Sequence, residues 1–106
     1  MVIYVDIDKT ICSDYPYTLG TDYSYVKPLY GNIDKINKLY QANHYIVYWT
    51  ARGTKTGKDW SELTKKQLQE WGCQYHELKF DKPFYDIFID DKALRIEEVP
   101  NDPTYY

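Results

Sequence analysis

Two short apolar runs lie near opposite ends of the chain, and a pair of aspartates cuts off each of them. Val2 to Val5 stops at Asp6-Ile7-Asp8, and Ile87-Phe88-Ile89 stops at Asp90-Asp91. A continuous β-branched run of this length reads as a strand buried on both faces, the kind found in parallel sheets flanked by helices. A chain of 106 residues has room for one such domain and no more.

The stretches between these runs alternate in type. Asn32 is placed to cap a helix whose apolar face is Ile33, Ile36, Leu39 and Tyr40, with Asn43 closing it in the left-handed conformation. Tyr45 to Trp49 is a second buried strand ending at Thr50. Asp59 and Glu62 form a capping-box pattern that opens a second helix, which carries Trp60, Leu63, Leu68 and Trp71 on one face and ends at Gly72. Tyr75 to Phe80 reads as a weaker third strand and Asp86 to Ile89 as a fourth. A helical turn is expected after Lys92, with Pro100 and Pro103 in a surface tail. The aromatic stretch from Cys12 to Tyr30, with Tyr15, Tyr17, Tyr23 and Tyr25, reads as a flap. Strand, helix, strand, helix, strand, strand is an α/β pattern with a mainly parallel sheet. Right-handed crossovers place the C-terminal ends of such strands on one edge, where these folds bind ligands.

On that edge the acidic pairs gain a meaning. If the first and fourth strands are neighbours, Asp6, Asp8, Asp90 and Asp91 converge, and like charges at close range need protons or a cation. Oxygen-only ligands favour a hard ion, magnesium above all. The charge balance agrees. The chain has thirteen basic and sixteen acidic residues, so setting the four aspartates aside leaves a slight basic excess. Thr50, at the end of the second strand, and Lys82, just before the fourth, then add a hydroxyl and an ammonium to the carboxylates. Together these groups form a phosphoryl-transfer constellation.

Asp6-Ile7-Asp8-Lys9-Thr10, Thr50, Lys82 and Asp90-Asp91 resemble, in order, the four motifs of the haloacid dehalogenase superfamily of phosphohydrolases. Thr50-Ala51-Arg52, Lys82-Pro83 and Ile89-Asp90-Asp91-Lys92-Ala93 are further similar to its small phosphatases of capsule-polysaccharide biosynthesis. The resemblance implies a small three-layer Rossmann-like core over about residues 1–96, with strand order 3-2-1-4. It implies a flap over about 12–30 and a tail over about 97–106, and both inserts are too short for a cap domain. Asp6 would be the nucleophile that becomes an aspartyl phosphate, and Asp8 the general acid and then base. Magnesium would be held by Asp6, the Asp8 carbonyl and Asp90, with Asp91 ligating directly or through water. Thr10, Thr50, Ala51, Arg52 and Lys82 would hold the substrate. Lys9 stands where this motif most often has glycine, and Lys79 is a rival to Lys82.

These features imply a magnesium-dependent phosphomonoesterase, expected to act on a small sugar phosphate in surface or capsular polysaccharide synthesis. The alternative is a phosphatase of nucleotides or polynucleotide ends. The net charge of −3 argues against a broad nucleic-acid surface. A receiver-type phosphoryl carrier would place its acidic pair before the phosphorylated aspartate, the reverse of the order here. A capless site is open to solvent, or covered by a neighbouring subunit in a homo-oligomer. Cys12 and Cys73 match no metal or redox spacing, and no apolar run is long enough to span a bilayer, so a cytoplasmic location with no membrane partner is expected. Cys12 is expected to be an inert buried thiol, and His44 and His76 to serve packing.

Overall fold

The computed structural model describes residues 1–16, 18 and 20–103. It is an α/β fold in which three parallel strands, β1 (Val2–Val5), β2 (Tyr45–Trp49) and β3 (Glu77–Lys79), lie side by side in sequence order. Helix α1 (Tyr30–Gln41) joins β1 to β2, and α2 (Ser61–Glu70) joins β2 to β3. Val2 pairs with Tyr45 and Val5 with Tyr48, while Val47 pairs with Glu77. The Thr50 N–H continues the second ladder by donating to the Lys79 carbonyl.

Both crossovers step the same way across the sheet, so right-handed connections send both helices to one face. Ile33, Ile36 and Leu39 of α1 and Leu68 of α2, with Trp71 just beyond it, accordingly share one core with Val5, Ile46 and Tyr48. The other face, which carries Val2, Tyr4, Tyr45, Val47 and Trp49, has no helix over it among the described residues. On this side Val2 is 65% and Tyr4 50% exposed. Val47 is nonetheless fully buried, and on the same face Tyr4 meets Trp49 edge-on while Lys79 Nζ reaches the Tyr4 hydroxyl at 3.0 Å. The described fold therefore has two layers, not the expected three. A helix on the second face requires a strand order that reverses, and no reversal occurs here. For the same reason the first strand is not buried on both faces.

The fourth strand expected over Asp86 to Ile89 is not formed. Ile87 and Ile89 are 78% and 94% exposed, and β1 is left as an edge of the sheet. Laying this segment along β1 would set Asp90 and Asp91 beside Asp6 and Asp8, and that concentration of like charge opposes the apolar gain.

Helix boundaries follow local chemistry more closely than the caps suggested. Asn32 lies inside the first turn of α1, where its amide donates to the Thr10 carbonyl instead of capping. Asn43 does take the left-handed conformation after the helix, at φ 72°. Trp60, not Asp59, precedes α2, and Asp59 accepts the Ser61 N–H without a completed capping box. Gly72 follows α2 with φ 71°. The third strand is shorter than expected, and a 3-10 turn at Ile96–Glu98 supplies the helical turn after Lys92. Among the described residues no helix is long and apolar enough to cross a membrane.

The core predicts its own weak point. Leu68 is fully buried between the helices and the sheet. Leu68→Ala should lower the urea-unfolding free energy by about 2–5 kcal/mol, as cavity-forming core changes do.

Candidate functional site at the C-terminal strand edge

The turn that ends β1 shapes the site. The N–H groups of Thr10 and Ile11 both return to the Ile7 carbonyl, and Lys9 N–H donates to the Cys12 carbonyl. Lys9 sits at φ 64°, a left-handed position that glycine takes without strain. Its ammonium is 3.4 Å from Asp14. The turn leaves Asp6 and Asp8 at the sheet edge, two residues apart.

Asp6 faces Lys82, whose Nζ is 3.5 Å from a carboxylate oxygen. Burial raises the Asp6 pKa above its ordinary value, and the Lys82 charge offsets only part of that rise. Lys82 is positioned by its main chain, which donates to the Thr50 carbonyl, and by Thr54, whose hydroxyl donates to the Lys82 carbonyl. Its ammonium lies 5.6 Å from the centre of the Trp49 ring and 5.4 Å from that of Tyr85. Lys79, the rival, is engaged with Tyr4 on the open face. Thr50 is buried at the end of β2, and its hydroxyl oxygen accepts the Arg52 N–H at 3.1 Å. Gly53 turns the next loop at φ 83°, where a Cβ would collide with the Lys58 carbonyl.

Asp8 is held quite differently. Arg52 donates from Nε to one Asp8 oxygen at 3.0 Å and from its NH2 group to the other at 2.9 Å. Its remaining terminal nitrogen donates to the Thr64 hydroxyl at 3.0 Å and to Gln67 Oε1 at 2.6 Å. The Tyr23 ring covers the guanidinium with its centre 4.6 Å from Cζ, and the Arg52 side chain has no exposed surface. Arg52 was expected to bind substrate. The structure assigns its donors to Asp8 and α2, so that expectation is corrected. Cys12 is also fully buried, its thiol directed at Asp8 at 3.4 Å and pushed well up in pKa by burial. Among the flap tyrosines, Tyr15 and Tyr23 pack edge-on at 5.5 Å and join the core's margin, Tyr25 is exposed, and Tyr17 lies outside the described residues.

Asp90 and Asp91 do not join this group. Both are exposed, and a hydrogen bond between their carboxyl groups lowers the pKa of Asp90 and raises that of Asp91. Among the described residues no three acidic, histidine or cysteine side chains gather where they could hold a metal ion. The four-carboxylate cluster expected from the sequence is thus not assembled. Lys55 and Lys58 lie over the Phe84 and Trp60 rings, at 4.9 and 4.2 Å. Ala51 is half-buried, with its carbonyl accepting the Thr54 N–H, and Thr10 is half-buried in the turn after β1. His44 is buried beside the Met1 amino group, and His76 stacks between Tyr40 and Tyr45. These histidines line a cavity of about 220 Å³ at the opposite end of β2.

No protein-family model matches the sequence, and no curated protein matches it. Among solved structures, the chain is similar to the crystal structure of an MCSG target from Vibrio cholerae. The TM-score is 0.82 with 25% identity, over 93% of this chain and 87% of that one. The likeness supports the α/β fold.

Asp6 yields a pH prediction. Because the folded state raises its pKa above the ordinary 3.8, ionising it costs stability as pH rises through the folded value. Asp6→Asn should therefore melt higher than the parent at pH 7 in buffer free of divalent cations. The gain should vanish below about pH 3.8, where both states hold the proton. Thermal melts at the two pH values check both the gain and its disappearance.

Proposed function

We propose that the protein is a phosphomonoester hydrolase of the haloacid dehalogenase type. The observation that carries this reading is the meeting of Asp6, Thr50 and Lys82 at one sheet edge, with a second carboxylate, Asp8, fixed two residues from the first. In this reading an Asp6 oxygen attacks phosphorus, while Lys82 and Thr50 neutralise and orient the phosphoryl oxygens. Asp8 gives a proton to the departing oxygen, then takes one from the water that hydrolyses the aspartyl phosphate. The raised Asp6 pKa is the cost of a partly buried nucleophile beside a single ammonium.

The finer architecture belongs to the same proposal. Ile87, Phe88 and Ile89 are exposed apolar residues, and β1 has a free edge. Packing this segment along β1 completes the order 3-2-1-4 and brings Asp90 and Asp91 toward Asp6. Magnesium among those carboxylates relieves their mutual repulsion, so docking and metal binding are proposed as one linked event. When bound, the ion supplies positive charge for the phosphoryl group. The substrate proposed is a small sugar phosphate of surface-polysaccharide synthesis. The exposed Tyr85, beside Lys82, offers a face for a sugar ring.

Phosphate release should be measured across sugar phosphates, nucleotides and a 3′-phosphorylated oligonucleotide, with magnesium or with EDTA. Turnover should require magnesium, be greatest on a sugar phosphate, and fall by at least 10³-fold in Asp6→Asn, on the order of the losses seen when a reacting group is removed. Turnover unaffected by Asp6→Asn overturns the mechanism, and preference for a nucleotide or oligonucleotide overturns the substrate. Amide hydrogen exchange over residues 86–91 should slow on adding magnesium, and unchanged exchange overturns the docking.

A further inference from the structure

Arg52 has every N–H of its guanidinium engaged inside the protein, and this changes what it can do. Two N–H groups grip the two oxygens of Asp8, at 3.0 and 2.9 Å, and the far nitrogen is spent on Thr64 and Gln67. The one remaining direction, from NH2, faces the Cys12 sulfur at 3.9 Å. Guanidinium has five donors and no acceptor, so none is left for a phosphate or a sugar. The fork fixes the plane of the Asp8 carboxylate as well as its distance, which a lysine at the same place cannot do.

The grip is itself anchored. Gln67 accepts from Arg52 through its oxygen and donates through its amide to the Tyr23 carbonyl at 2.8 Å, while the Tyr23 ring lies over the guanidinium. Thr64 and Gln67 are buried polar residues on α2, in the stripe that otherwise faces the core. A strand end, a helix and the flap are therefore all joined at one carboxylate. Asp8 still has 19% of its side chain exposed, and it lies close enough to Asp6 for the two charges to interact.

We propose that Arg52, braced by Thr64, Gln67 and Tyr23, is a positioning residue that aims Asp8 at the leaving-group oxygen. The inference rests on the phosphatase reading above and adds to it the role of Arg52. In the step concerned, the bond from an Asp6 oxygen to phosphorus forms as the bond from phosphorus to the ester oxygen breaks. The Asp8 proton passes to that oxygen, the alcohol leaves neutral, and Asp8 remains as a carboxylate paired with Arg52. An alkoxide is a poor leaving group and needs that proton, whereas a nitrophenolate leaves readily without it. Rigid placement of the acid matters in proportion to that need.

The test compares an alkyl phosphate, glycerol phosphate, with p-nitrophenyl phosphate, in the parent and in Arg52→Lys, Asp8→Asn and the double variant, all in magnesium. Arg52→Lys should lower kcat on glycerol phosphate by about 100-fold, the lower range for a general acid, with KM little changed. Its loss on p-nitrophenyl phosphate should be only a few-fold. In the Asp8→Asn background, Arg52→Lys should add no further loss on either ester. Equal losses on both esters, or losses that multiply in the double variant, overturn the positioning role while leaving the phosphatase reading intact. A parent that hydrolyses neither ester overturns both. Gln67→Met keeps the ion pair and removes only its brace, so it covers the case in which Arg52→Lys does not fold. It should show the same selectivity between the two esters to a smaller degree, and a selectivity equal to the parent's overturns the brace.

Discussion

Taking a carboxylate and a guanidinium out of water is costly, and their attraction offsets that cost only when every donor and acceptor is satisfied. The pair of Asp8 and Arg52 meets this condition, and much of the local structure is the means by which it does so. Thr64 and Gln67 occupy apolar-stripe positions of α2 because the far side of the guanidinium needs acceptors there. Tyr23 closes the remaining face with its ring, and the flap is tied to α2 by the same glutamine. Removing either charge strands the other in a dry environment, which ordinarily costs about 3–5 kcal/mol.

The second charge pair follows a different rule. Asp6 and Lys82 meet at the rim, less buried and at a longer distance, so the carboxylate is left above its ordinary pKa. In the proposed mechanism Asp6 must be reachable by phosphorus, which rules out the tight satisfaction given to Asp8. One carboxylate is thus gripped by the fold at both oxygens, and the other carries a burial cost that its partner only partly offsets. Natural active sites commonly accept this trade of stability for function.

Much of this was legible in the sequence, for identifiable reasons. The bounds of β1 and β2 follow from dense apolar runs stopped by polar residues, and Asn43 and Gly72 end their helices because few residues tolerate a positive φ. Asn32 misled because an amide that suits a cap also suits a hydrogen bond to a distant carbonyl. The fourth segment misled because hydrophobicity marks what a strand is made of without showing that its ladder closes. The role of Arg52 was hidden because its place just after Thr50, at a strand end, suggested a contact with substrate. A signal did exist, in that Thr64 and Gln67 interrupt the apolar face of α2, and polar residues placed there need a buried partner. The grouping of Asp6, Thr50 and Lys82 could be anticipated because parallel strands deliver their C-terminal ends to a common edge.

The strict sequence order of the sheet has a consequence for how the chain acquires its structure during synthesis. Each strand pairs with the one made just before it, so β1, α1 and β2 can assemble before α2 has left the ribosome. Arg52 emerges only three residues after β2 ends, early enough to find Asp8 while both are still solvated. The later arrival of α2 then brings Thr64, Gln67 and Leu68 down together. A pair already in contact is dehydrated in one step, and its new acceptors arrive on the same helix that excludes the water.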